Sequence, residues 1–184
     1  MKTLNLISAS LLLVSNQLAM AENWTGHAGL LLGEKQLDKQ DWQPHETQGS
    51  VGLLIDLRPQ SSPVALAVDM FGSGDEEQVD GGKQESASAE LHLGARYYLP
   101  ESSRFTPYAG AGLALVSVEQ KLAQKEREED GGLGWWAGVG VRYRITEHVD
   151  LGADLRYSRA NVTLDGDELQ AGGRNLALGV GYHW

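Results

Sequence analysis

The chain contains no cysteine. No disulfide framework is available, so an exported form needs another source of stability. Proline occurs only 5 times and phenylalanine only twice. Positive charge is scarce: Lys and Arg number 15 against 25 Asp and Glu. That balance argues against a nucleic-acid partner. Beyond the first twenty-odd residues no stretch approaches 18 consecutive apolar side chains, which excludes a helix-spanning membrane protein. A membrane β-barrel is not excluded, because its strands alternate apolar and polar residues and read as hydrophilic on average.

The N-terminus has a distinct layout. Lys2 is followed by a short apolar run from Leu4 to Val14, then by Ala19-Met20-Ala21 and polar Glu22-Asn23. This is the pattern of a secretory signal peptide, cleaved after Ala21. The expected organisation is a signal peptide over 1–21 and one domain over 22–184. Cleavage removes only Lys2 among the charged side chains and leaves a net charge of −11.

What the chain has is glycine, 23 of 184 residues, and period-two alternation. Leu176, Leu178, Val180, Tyr182 and Trp184 oppose Asn175, Ala177, Gly179, Gly181 and His183. Val149, Leu151, Ala153, Leu155 and Tyr157 oppose Asp150, Gly152, Asp154, Arg156 and Ser158. Similar patterns start at Val51, Val64, Ala89 and Trp135; segments near 23–33 and 105–118 are less cleanly divided. Eight strands of membrane-crossing length are expected. Short connections near 59–62, 100–104 and 146–147 alternate with long ones near 34–47, 72–85, 119–132 and 159–172. Long loops at every second connection are the layout of an antiparallel, up-and-down transmembrane β-barrel in a bacterial outer membrane. With the N-terminus in the periplasm, Trp24, Tyr97, Tyr98, Phe105, Tyr108, Tyr143, Tyr182 and Trp184 are expected at the inner interface. Phe71, Trp135, Trp136 and Tyr157 are expected at the outer one.

The polar face is rich in glycine and in charges of both signs. Arg58, Arg96, Arg142, Arg144 and Arg156 stand with Asp56, Asp69, Glu90, Asp150 and Asp154. An eight-stranded barrel has room inside for side chains but not for a wide channel. A paired charge network filling the lumen is therefore expected, since unpaired buried charge is costly. A gated ion path through it is the alternative.

On the export signal, the eight alternating strands, the loop pattern and the ending Leu-Ala-Leu-Gly-Val-Gly-Tyr-His-Trp, the sequence resembles the small outer-membrane β-barrel superfamily. That superfamily includes the OmpA-type transmembrane domain and the OmpX-like adhesins. The resemblance covers essentially all of 22–184. It implies that Leu178, Val180, Tyr182 and Trp184 are read by the barrel-assembly machinery. It implies outer-membrane lipid and lipopolysaccharide as surroundings, and a monomer. The superfamily contains adhesins, anchors, pores and lipid-modifying enzymes, so membership alone does not select a function.

Arg156-Tyr157-Ser158 faintly resembles the lipid A deacylases, which place a His two residues before the Ser. Arg156 stands at that position and cannot act as a base near neutral pH. No catalytic residue is expected. His27 and His183 are expected as lumen neighbours rather than metal ligands, His45 lies in a loop and His148 starts a strand. No cofactor or metal is expected. The stretches Gly74-Asp75-Glu76-Glu77, Asp80-Gly81-Gly82 and Glu126-Arg127-Glu128-Glu129-Asp130 make two outer loops acidic, but the spacing fits no calcium loop. The expected role is structural or surface-interacting, through four external loops to an unknown external ligand. A small pore, a lipid-modifying enzyme and a soluble periplasmic barrel are the competing readings.

Overall fold

The computed structural model describes residues 23–37, 46–79, 82–100, 104–121, 128–164 and 167–184. The expected export signal, His45, Asp80, Gly81, Glu126 and Arg127 lie outside the described residues.

The strands are β1 Trp24–Gln36, β2 Thr47–Pro59, β3 Val64–Val79, β4 Gly82–Tyr98, β5 Phe105–Lys121, β6 Glu128–Arg144, β7 Val149–Leu164, β8 Asp167–Gln170 and β9 Gly173–His183. Each barrel strand pairs antiparallel with its neighbour in sequence from β1 to β7, and β9 pairs with both β7 and β1. The result is a closed eight-stranded barrel. The ninth strand, β8, is a short outer hairpin on β7, from Asn161↔Gln170 to Leu164↔Asp167.

Closure runs over the whole seam from His27↔His183 to Gln36↔Arg174. The last residue is tied into it: Gly26 N–H donates to the Trp184 carbonyl at 3.2 Å, Trp184 N–H donates to the Gly26 carbonyl at 3.1 Å, and Thr25 Oγ1 donates to the Trp184 carbonyl at 2.6 Å. Closure leaves no sheet edge in the lipid, which a bilayer requires because it offers no hydrogen-bond partner.

The burial pattern is inside-out. Leu32 is 65 % exposed, Leu66 62 %, Leu133 66 % and Leu178 65 %, while Asp69 and Arg96 are fully buried. Large apolar side chains cover the outer wall where lipid would lie, and the charges point inward. At the short-turn end, Thr146 caps its own turn: Oγ1 accepts the Val149 N–H at 3.0 Å. Pro59 ends β2, and its carbonyl accepts the Ser62 N–H at 3.0 Å.

Two sequence expectations need correction. The long connections at 72–85, 119–132 and 159–172 are mostly strand. The β3–β4 ladder continues to Val79↔Gly82 and the β5–β6 ladder to Gln120↔Glu128. Above the membrane both faces of a hairpin are wet, so pairing continues after the alternation that reveals it in sequence has ended. The aromatic assignment also changes. Phe71, Tyr98, Tyr108 and Trp136 are buried in the lumen, not at the interfaces. Tyr97-Tyr98 and Trp135-Trp136 are adjacent pairs, and neighbours in a strand face opposite sides. Trp24, Tyr97, Phe105, Tyr143, Tyr182 and Trp184 form the inner belt, with Trp135 and Tyr157 at the outer one.

Candidate functional site: the charged lumen

The inward faces of the strands bring distant charges together. Arg96 from β4 donates through Nη1 to Asp56 Oδ2 at 2.6 Å and through Nη2 to Asp69 Oδ2 at 2.7 Å. Arg142 from β6 reaches the same Asp56 oxygen at 2.8 Å. Arg156 from β7 donates to Asp69 Oδ2 at 2.7 Å, and its Nε lies 3.3 Å from Asp154 Oδ1. Tyr98 and Tyr108 donate their hydroxyls to Asp56 and Asp154, each at 2.8 Å. Asp56, Asp69, Arg96, Arg142, Asp154 and Arg156 thus form one network across β2, β3, β4, β6 and β7.

Aromatic rings separate the cations. Arg58 and Arg142 lie on Tyr98 at 4.9 and 5.0 Å, and Arg142 and Arg96 on Tyr108 at 5.1 Å each. Arg156 lies 4.4 Å from the Trp136 ring, on which His92 is stacked at 5.5 Å. An arginine over an aromatic face is attracted by the ring quadrupole, most strongly away from water.

The remaining charges sit at the two ends. Toward the outside, Glu90 accepts from Lys35 at 2.5 Å and pairs with His92 Nε2 at 2.7 Å. Arg156 Nη1 lies 3.1 Å from His92 Nδ1. A guanidinium only donates, so this contact makes Nδ1 the acceptor and places the ring proton on Nε2, facing Glu90. Lys35 continues to Ser88 at 2.8 Å, Ser88 to Ser73 at 2.8 Å, and Ser73 to Gln48 at 2.6 Å. Toward the periplasm, Asp150 lies 3.3 Å from His27 Nε2 and 3.4 Å from His183 Nδ1. Arg58 donates to the Ser62 carbonyl at 2.8 Å, and it and Arg144 line a mouth cavity of about 70 Å³ with Asp56, Arg142 and Asp150.

Sequence reasoning missed Lys35, His92 and the two tyrosine hydroxyls as members. Lys35 continues the inward series His27, Gly29, Leu31, Gly33, and that parity could have revealed it. The outer half of the lumen is also less polar than expected. Val116, Val118, Ala160, Val162, Ala171 and Leu37 form an apolar cluster there with Trp136. Outside the lipid, Asp130 accepts the Thr163 N–H, which holds its carboxyl below the usual range, and a bond from the Gly131 N–H adds to the effect.

Lumen glycines make room for these groups. A Cβ on Gly140 would overlap the Tyr108 ring, and one on Gly181 would overlap His27. Gly140→Ala is expected to push Tyr108 from Asp154 and destabilise the barrel by about 1–3 kcal/mol. Gly152→Ala, whose Cβ meets nothing within 4 Å, is the matched control. Thermal melting of the heat-modifiable gel band would show equal melting points if this packing argument is wrong.

Ser158 is buried in the lumen. Arg156, two residues before it, is committed to Asp69 and Asp154. Among the described residues no group of three or more His, Asp or Glu side chains is arranged to hold a metal ion.

The family model of the outer membrane protein β-barrel domain matches residues 6–183. No curated protein matches the sequence. Among solved structures, Neisserial surface protein A is similar at a TM-score of 0.58 with 20 % identity, over 86 % of this chain and 96 % of that one. OprG of Pseudomonas aeruginosa is similar at 0.59 with 15 % identity, over 88 % and 95 %. Ail, the attachment invasion locus protein of Yersinia pestis, crystallised with the heparin analogue sucrose octasulfate, is similar at 0.58 with 11 % identity, over 88 % and 98 %. At such identities the shared property is the fold. With the family model spanning nearly the whole chain, this protein belongs to the outer membrane protein β-barrel domain family and resides in the bacterial outer membrane.

Proposed function

We propose that the protein is a non-enzymatic surface barrel whose lumen is a structural plug and whose outer hairpins carry its interactions. The observation that carries this reading is burial at the middle of the lumen. Asp69, Arg96, His92, Asp154 and Trp136 are each at most 2 % exposed. A standing water path would leave such side chains accessible. The charges are also paired across strands, so opening a path means separating several ion pairs at once.

The non-enzymatic reading rests on Arg156 standing where a base would be needed and on Ser158 facing away from lipid. Ail was crystallised with a polysulfated sugar. The outer hairpins here carry Asp75, Glu76, Glu119, Glu129 and Asp130, so a sulfated partner would be repelled. A cationic partner, or one bridged by divalent cations, suits them better.

Planar-bilayer recording of the folded barrel tests the plug. The expected result is no steady conductance, with heat-modifiable mobility confirming the fold. Reproducible unitary openings from wild-type protein would replace the plug with a pore.

A further inference from the structure

The outward face of the barrel carries few charges, and their placement is uneven. Along β9 the outward residues are Arg174, Leu176, Leu178, Val180, Tyr182 and Trp184. Along the outer part of β7 they are Leu155, Tyr157, Arg159, Asn161 and Thr163. Arg174 pairs with Tyr157 across the β7–β9 ladder, so Arg159 is its diagonal neighbour on the same face. Such neighbours lie about 7–8 Å apart, within joint reach of two arginine side chains. Both arginines are exposed, and no hydrogen bond or ion pair among the described residues engages either guanidinium.

Their height matters most. From Trp184, in the inner aromatic belt, to Arg174 is ten residues along β9. At ~3.4 Å per residue and a tilt of ~40° this rises about 26 Å, close to the height of a barrel's apolar band. The two guanidinium groups therefore stand where the outer leaflet passes from acyl chain to headgroup. The flanking side chains fit that level. Leu155 and Leu176, paired just below, are 50 % and 61 % exposed. Trp135 is paired with Arg159 and packs at a tilt against Tyr157, the ring centroids 5.5 Å apart. Gln170 of β8 donates to the Tyr157 hydroxyl at 3.2 Å and anchors that ring.

Across the barrel the outward charges at the outer end are acidic: Glu76 on β3, Glu119 on β5 and Glu129 on β6. Glu34 on β1 is diagonal to Arg174 without bonding to it. Among the described side chains, Arg159 and Arg174 are the outward cations at this end. An anion with an acyl body is directed to this one sector of the wall.

We propose that Arg159 and Arg174, with Trp135 and Tyr157, form a site for the phosphate group of an outer-leaflet lipopolysaccharide, its acyl chains lying on Leu155 and Leu176. Two guanidinium forks match phosphate geometry, and Arg binds it bidentately where Lys acts as a point charge. The aromatic pair sits at the headgroup level that such rings prefer. The site is independent of the plug, because neither arginine touches the lumen.

The test is native mass spectrometry of the folded full barrel in mild detergent, titrated with bisphosphorylated lipid A. Wild type is expected to retain one lipid A, and Arg159→Ser/Arg174→Ser to bind at least tenfold more weakly, with each single variant intermediate. Arg159→Lys/Arg174→Lys should recover part of the loss. Lipid A stripped of both phosphates should bind wild type as weakly as phosphorylated lipid A binds the double variant. Arg104→Ser, at the opposite end of the barrel, should change nothing. Unchanged retention in the folded double variant overturns the proposal. So does competition by inorganic phosphate at equal concentration, which would make this a site for the free ion.

Discussion

Asp69→Ala should destabilise the barrel by about 3–5 kcal/mol in urea unfolding followed by tryptophan fluorescence. Asp69 Oδ2 is shared by Arg96 and Arg156, which come from opposite sides of the lumen, and both Asp69 and Arg96 are fully buried. Removing the carboxylate leaves two guanidinium groups facing each other with no water to solvate them. Breaking a buried pair from one side costs that range because the abandoned charge keeps its desolvation penalty. Asp56 and Asp154 retain one arm of each arginine, which keeps the effect from being larger. The double change Asp69→Ala/Arg156→Met should recover much of the loss, since it removes one stranded cation and restores apolar volume beside Phe71 and Trp136. An exposed control, Glu34→Ala, should stay within about 0.5 kcal/mol. A loss below about 1 kcal/mol for Asp69→Ala would mean that water enters the lumen and that the network is not a dry plug.

Leu178→Arg should produce the second large effect. Leu178 is 65 % exposed on the outer wall and faces Leu32 on β1 and Ala153 on β7. It lies between Arg174 at the outer level and Trp184 at the inner one, near the middle of the bilayer. An arginine at the midplane of a barrel's lipid face costs about 2–4 kcal/mol. It also falls within Leu178, Val180, Tyr182 and Trp184, which we propose the assembly machinery reads. Two measurements separate these effects. Refolding into vesicles reports the lipid cost alone; the amount of folded barrel in the outer membrane reports both. Deleting Trp184 should lower the folded amount in the membrane more than it impairs refolding. Equal membrane levels for wild type and the Trp184 deletion would remove the recognition role and leave Trp184 as a seam residue only.

The barrel was legible where one face is apolar and the other is not. Val51, Leu53, Ile55 and Leu57 against Gly52, Leu54, Asp56 and Arg58 define β2 and its inward side, with Leu54 the one apolar exception on the inner face. The same logic weakens in β5, whose inward residues Gly110, Gly112, Ala114, Val116 and Val118 are small or apolar. With apolar groups on both faces, alternation disappears. For that reason the apolar cluster in the outer lumen went unread. The charge network was legible as an inventory and not as a wiring diagram. Parity places Asp56, Asp69, Arg96 and Arg156 inside, but which arginine meets which aspartate depends on strand stagger, and sequence alternation does not encode stagger. His92 shows the limit well. It shares the inward parity of Glu90 and Arg96 on β4, yet its place between Glu90 and Arg156 depends on how β4 and β7 are staggered across the lumen.

The wall is uneven in height. Strands β1, β2 and β9 have 13, 13 and 11 residues, while β3 to β7 have 16 or 17. This asymmetry divides the molecule by timescale. The tall side ends in paired ribbons above the lipid, where a backbone bond can open and exchange its proton without disturbing the ring. On the short side the described strands β1, β2 and β9 lie almost wholly within the bilayer, and the β1–β9 seam joins the two ends of the chain. An amide between Leu30 and Val180 exchanges only when the ring itself breaks. The same hydrogen-bond ladder thus has a fast, locally opening crown and a slow, all-or-none waist, and the survival time of the folded barrel is set at the waist.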